Sequence, residues 1–192
     1  MRSVSIIYLT MAIMFAGVCV LDVSVERSRP PIPRSDSAFH ALAGEFRTVA
    51  ANLLWIKADK YHHEFIAHGG NWSQNKDILP LIRLITDLDP YFVEAYLTGG
   101  WILATGLDLP DEAVRFLKAG ILSNPNSSEL HEGLGTLYAG RLGEPHEGLK
   151  HLERALSLAR DDFDTQRLTR LINSVRRMCE ELDEDQPPAS EA

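Results

Sequence analysis

The chain has 192 residues, 45% of them apolar and 24% charged, a balance that supports one folded domain with its own core and excludes both a wholly disordered chain and a multi-spanning membrane protein. Its formal net charge is −8 at pH 7, with acidic residues crowded toward the C-terminus, so no basic field exists to draw in nucleic-acid phosphates. The two cysteines, Cys19 in an apolar run and Cys179 on the apolar side of a helical stretch, stand in unlike surroundings and give no disulfide framework.

From Val4 to Leu21 there is no charge. As a helix this stretch rises about 27 Å at about 1.5 Å per residue, close to the thickness of bilayer hydrocarbon, so residues 1–25 are expected to anchor the chain in a membrane. A cleaved signal peptide is the rival, because Arg2 and the free amine precede the apolar run. Ala16-Gly17-Val18 puts a branched residue where cleavage wants a small one, and makes a weak lipobox ahead of Cys19. Arg2 on one side and Arg27, Arg29 and Arg34 on the other pull the orientation in opposite directions. The habit of signal anchors places the domain on the periplasmic or extracytoplasmic side. Residues 26–35 hold Arg29-Pro30-Pro31-Ile32-Pro33, which cannot continue a helix and reads as a semi-rigid spacer.

Residues 36–183 read as helical throughout. Phe39 to Val49 has helical spacing, with Gly44 placed to bend it. Leu54, Ala58 and Tyr61 then mark one helix, and Ile78, Ile82 and Ile85, followed by Pro90, a second. The connection between these two carries seven more residues than its later counterparts and includes His68-Gly69-Gly70-Asn71-Trp72, where Trp72 is expected to pack the loop down, a ligand contact being the alternative. Further on, a shift of 35 residues aligns Tyr96 with His131, Gly100 with Gly135, Leu103 with Tyr138, Ala113 with Gly148 and Gly120 with Ala155. Repeats of this length are the mark of stacked helix pairs, and small residues at these places let neighbouring helices approach closely. After the last pair, Leu168, Leu171, Ile172, Val175, Met178 and Leu182 form the apolar stripe of a helix with an otherwise charged surface, the kind of cap that ends a repeat array. Residues 184–192, acidic and carrying Pro187-Pro188, have the composition of a disordered tail.

Leu134-Gly135 with Tyr138 in a first helix, and Ala113, Leu117, Gly120 and Pro125 in a second, resemble the tetratricopeptide repeat (TPR); the resemblance covers roughly Asn52 to Asp183, about two-thirds of the chain, and with the N-terminal anchor it points to a membrane-anchored TPR protein of bacterial type. The resemblance implies an all-α, right-handed solenoid of about three helix pairs plus a C-terminal capping helix, behind an N-terminal transmembrane helix. Both later units are one residue longer than the usual length of about 34, and the extra residue is expected in the inter-helix turns near Leu109 and Glu144. Gly99 stands where the pattern has Leu, and His131 where it has an aromatic residue.

In such a solenoid the first helices line a concave groove. The resemblance places Trp55, Ile56, Asp59, His62 and His63 there from the first unit, Leu97, Thr98, Trp101 and Thr105 from the second, and Glu132, Thr136 and Ala139 from the third. Trp55 and Trp101 are the expected anchors of a partner; the alternative is that the N-terminal helix or the cap fills this surface and makes both tryptophans core residues. The carboxylate clamp of some TPR domains is missing, since its positions hold Trp55, Asp59, Thr98, Glu129 and Gly133.

No catalytic constellation is present. His62-His63-Glu64-Phe65-Ile66-Ala67-His68 looks like a zinc-protease helix, but His63 and His68 are five apart and fall on different faces. No cofactor, metal or catalytic residue is therefore expected. The expected function is a membrane-tethered interaction module, an assembly factor or accessory subunit that holds a partner protein's segment or helix through an apolar groove. The alternatives are a metal protein or enzyme using His62, His63 and His68, and a permanent structural subunit of a large membrane complex.

Overall fold

The computed structural model describes residues 46–69 and 78–184, together with Ile13, Met14 and Ala16. The chain divides into two compact units, residues 1–34 and 35–192. In the first, Ile13, Met14 and Ala16 are helical; the rest of the expected membrane anchor lies outside the described residues, as do the Pro-rich spacer, Trp72 and the tail after Glu184. No helix among the described residues is long and apolar enough to cross a membrane.

In the second unit the described residues form seven helices: α1 Arg47–Ala67, α2 Ile78–Leu88, α3 Val93–Trp101, α4 Pro110–Ser123, α5 Ser128–Leu137, α6 Pro145–Ser157 and α7 Asp162–Glu184. Each packs on the next, and α3 also touches α5. The order is that of three helix pairs and a cap.

Local chemistry sets the ends of these helices. Pro110 and Pro145 open α4 and α6 at the first turn, where a missing N–H is harmless and the fixed φ suits a helix. The Ser127 hydroxyl accepts from the Leu130 N–H at 3.2 Å and caps α5. An Asp161 carboxylate oxygen accepts from the Asp164 N–H at 2.7 Å and starts α7. Between α2 and α3, Asp89 accepts from the Tyr91 N–H at 3.0 Å, and the Asn124 side chain donates to the Pro90 carbonyl at 2.9 Å, which ties one inter-repeat turn to the end of the following pair.

The small residues act as their spacing predicts. A Cβ on Gly135 would stand 2.8 Å from the Gly148 carbonyl oxygen, and one on Gly148 2.7 Å from the Gly135 oxygen, so α5 and α6 touch backbone to backbone. A Cβ on Gly100 would meet Leu117 at 2.9 Å, and one on Gly120 the Tyr96 ring at 2.7 Å. Gly99 departs from the repeat pattern because the Phe116 ring occupies the place that its side chain would take. Ile82, Ile85, Leu103, Leu134, Leu152 and Leu168 are fully buried along the stack, where the core falls into three successive clusters, as expected of units that each pack on their neighbours. Cys179 lies in the last of these clusters beside Ile172 and Val175, and burial pushes its thiol pKa up.

The extra residue in each later unit sits earlier than expected. It is taken up in the last turn of the first helix and not in the loop: α3 and α5 run on into five-residue π-turns, Ile102–Gly106 and Tyr138–Leu142. Widening one turn to i→i+5 bonding absorbs an insertion without breaking the helix, as in the bond from the Leu107 N–H to the Ile102 carbonyl at 2.9 Å. Each turn is then left through a residue with positive φ, Asp108 (58°) and Gly143 (67°), which stand at the same place in successive repeats.

Candidate binding groove

The first helices of the second and third pairs, α3 and α5, leave between them a cavity of about 600 Å³. Leu97, Gly100, Trp101, Ala104 and Thr105 form the α3 wall. Across from them, Glu129, Glu132, Gly133, Thr136, Gly140 and Arg141 form the α5 wall. Steps of three and four residues put each set on one helical face. Leu117 and Leu137 reach in from the core. Trp101 is 58% exposed, so a large indole stands in the wall with much of its surface in water.

Charge sits on the α5 wall. The Arg141 Nε donates to the Ala104 carbonyl at 3.1 Å, within the π-turn of α3, while its guanidinium also pairs with Asp108. Glu132 pairs with Arg167 of α7, which bonds Asp164 at 3.0 Å as well. The hydrogen bond to Glu132 is the main reason that the Arg167 pKa is raised above its ordinary value. Glu129 receives hydrogen bonds from its own backbone N–H and from the Ser127 hydroxyl, the latter at 2.8 Å. These bonds, with the backbone contribution first, hold its carboxyl pKa below the usual range.

Of the residues expected in the groove, the structure brings Leu97, Trp101, Thr105 and Thr136 together, with Glu132 beside them. Thr98 is half-buried on α3 and does not line the cavity. Trp55 goes elsewhere: its ring packs 5.3 Å from Phe92 against the first core cluster, beside a separate cavity of about 420 Å³ that Asn52, Asp89, Tyr91 and Glu94 also line. Ile56 is 64% exposed and lines neither cavity, Asp59 is exposed, and the His62 side chain lies outside the described residues. Ala139 is buried against Leu152, Ile172 and Val175 instead of facing the groove. Gly140 and Arg141 escaped the sequence reading, although they follow Gly133 and Leu137 on the same face.

His68 Nδ1 lies 2.6 Å from the Glu64 carbonyl oxygen, a bond that closes the end of α1. Among the described residues no group of three or more histidine, cysteine or carboxylate side chains is placed to hold a metal ion. His131, at the aromatic position of the repeat, is buried between α5 and α6 with its Nδ1 3.2 Å from that of His151. The His151 ring stacks on Tyr138 at 5.8 Å, and Lys118 lies 5.5 Å above the Tyr138 ring. Burial is the largest cause of a lowered pKa at both histidines.

No sequence-family profile and no curated protein sequence matches the chain. Solved structures do. The type III secretion chaperone SycD of Yersinia enterocolitica, in complex with a peptide of the translocator YopD, is similar at 14% identity with a TM-score of 0.54, over 69% of this chain and 97% of that one. The first TPR domain of human RPAP3 is similar at 16% identity with a TM-score of 0.55, over 71% of this chain and 97% of that one. A TPR protein of Thermus thermophilus shares 24% identity with a TM-score of 0.44, over 52% of this chain and 48% of that one. Helix pairs in register, packed through small residues and similar to the SycD and RPAP3 structures, give the second unit a tetratricopeptide-like fold.

Proposed function

We propose that this protein is a non-catalytic interaction module that holds a segment of a partner protein in the groove between α3 and α5. The observation that carries this reading is the exposed Trp101 in the wall of a 600 Å³ cavity. Large aromatic side chains set in pockets are frequent energetic centres of protein interfaces. The SycD neighbour, of the same fold, holds a peptide of its own partner.

In this reading residues 36–183 are the working domain, and the uncharged run from Val4 to Leu21 tethers it to a membrane, with the domain on the extracytoplasmic face. Tethering raises the local concentration of a membrane-bound partner, which suits an assembly factor or accessory subunit. Recovery of partners after mild detergent extraction, compared between the wild type and Trp101→Ala, tests the groove. Loss of a specific partner from the variant is expected; equal recovery of every partner sinks the reading. Protease accessibility of the C-terminal tail in intact and in opened cells tests the side of the membrane.

A further inference from the structure

We infer that Gly140 is the specificity-determining residue of this groove: its bare backbone keeps open the seat for a bulky apolar side chain, carried on an extended partner segment with opposite charges at its two ends. The inference rests on the groove being the partner site.

Two glycines, seven residues apart, face the cavity, Gly133 from α5 and Gly140 from the π-turn that continues it. Packing explains the first, since a Cβ on Gly133 would lie 2.9 Å from a Leu97 methyl carbon. It does not explain the second: a Cβ on Gly140 would meet nothing within 4 Å. Backbone conformation does not explain it either, because the glycines with positive φ among the described residues are Gly69 and Gly143. A glycine inside a helix destabilises it relative to almost any other residue. What the missing side chain does supply at Gly140 is open width in the cavity.

The length of the wall fits an extended occupant. From Glu129 to Arg141 the α5 wall runs about 18 Å at about 1.5 Å per residue, the reach of five or six extended residues at about 3.3 Å each.

The ends differ in charge. Glu129 makes no salt bridge among the described residues and feels Arg160 and Arg167 only through space, whereas Glu132 beside it is paired directly with Arg167. At the other end Arg141 pairs with Asp108, whose side chain is 79% exposed, and a pair so open to water exchanges readily for a partner carboxylate. A basic residue therefore suits the Glu129 end and an acidic one the Arg141 end. A segment of uniform charge meets repulsion at one of them.

Selection of 12-residue peptides from a random display library on the full-length protein in mild detergent, followed by fluorescence anisotropy of the selected peptides, tests this. The expected consensus is one bulky apolar residue between a basic and an acidic residue, the two charges five or six positions apart. Gly140→Leu is expected to weaken binding at least tenfold with a melting temperature no lower than wild type, while Leu122→Ser, on an exposed part of α4, leaves binding unchanged. Equal affinity in Gly140→Leu, or a consensus with charges of one sign or none, overturns the inference. If Trp101→Ala weakens binding and Gly140→Leu does not, the role of Gly140 alone fails. If neither variant changes binding, or no peptide is selected, the groove reading fails with it.

Discussion

Two tryptophans on first helices of the array meet opposite fates. Trp55 of α1 packs its ring on Phe92 at 5.3 Å, half-buried against the first core cluster and beside a separate cavity. Trp101 of α3 has no such neighbour among the described residues and stands in the wall of the cavity facing α5. The repeat geometry alone therefore does not decide where a TPR-like groove stays open. A single aromatic ring at the start of a first helix is enough to half-bury the indole and take it out of the cavity between α3 and α5.

Substitutions that exchange these fates separate the two regions, and the largest effect is expected at the filled one. Trp55→Ala removes a half-buried ring and its aromatic contact, and should lower unfolding free energy by about 3 kcal/mol while leaving partner recovery unchanged; urea unfolding and pull-down measure the two. Trp101→Ala should do the reverse, with little change in the urea midpoint and loss of the partner. Two tryptophans with the same profile would erase the distinction.

Glycines of α5 sharpen the comparison further. Gly135→Ala forces a methyl group against the Gly148 carbonyl and should destabilise by about 1–3 kcal/mol. Gly140→Ala, five residues on and facing open space, should stabilise by up to about 1 kcal/mol. Opposite signs in the shift of the melting temperature are the readout, and a loss of stability at Gly140 would mean that the groove wall is packed after all.

The smallest effect concerns pH at the α5–α6 interface. His131 and His151 have pKa values lowered in the folded state, chiefly by burial. The unfolded chain therefore takes up protons first as pH falls through about 6.5. The stability that these rings contribute is complete above that pH and is lost progressively below it. The urea midpoint should fall between pH 7.5 and pH 5.5, and the fall should shrink in His151→Gln. An unchanged slope in that variant would assign the pH dependence to other groups.

Much of the fold was legible from the chain. The 35-residue register of Gly100 with Gly135 and Gly120 with Ala155 gave the pairs, because helix contact distance depends on side-chain size and size is written in the sequence. The capping helix was legible from the apolar stripe of Leu168, Ile172 and Val175, and all three are buried. The site was legible in part. Leu97, Trp101, Thr105 and Thr136 line one cavity as expected, but Trp55, Ile56, Asp59 and Thr98 do not join them. Nothing local to Trp55 announces that Phe92, 37 positions later, will lie against it. Arg141 was missed for a related reason: its contacts, the Ala104 carbonyl and Asp108, lie in the π-turn of the preceding pair and the residues just after it, and exist only once the pairs are stacked.

The sequence by itself determined the helices, their order and the period at which they stack, because apolar periodicity, helix-opening prolines and small residues act over a few neighbouring turns. Only the tertiary structure decided which stretch between first helices remains open, where each extra residue is absorbed and which charges flank the opening. Those outcomes depend on what space is left after distant side chains have packed, and that remainder is a property of the assembled stack and not of any one segment.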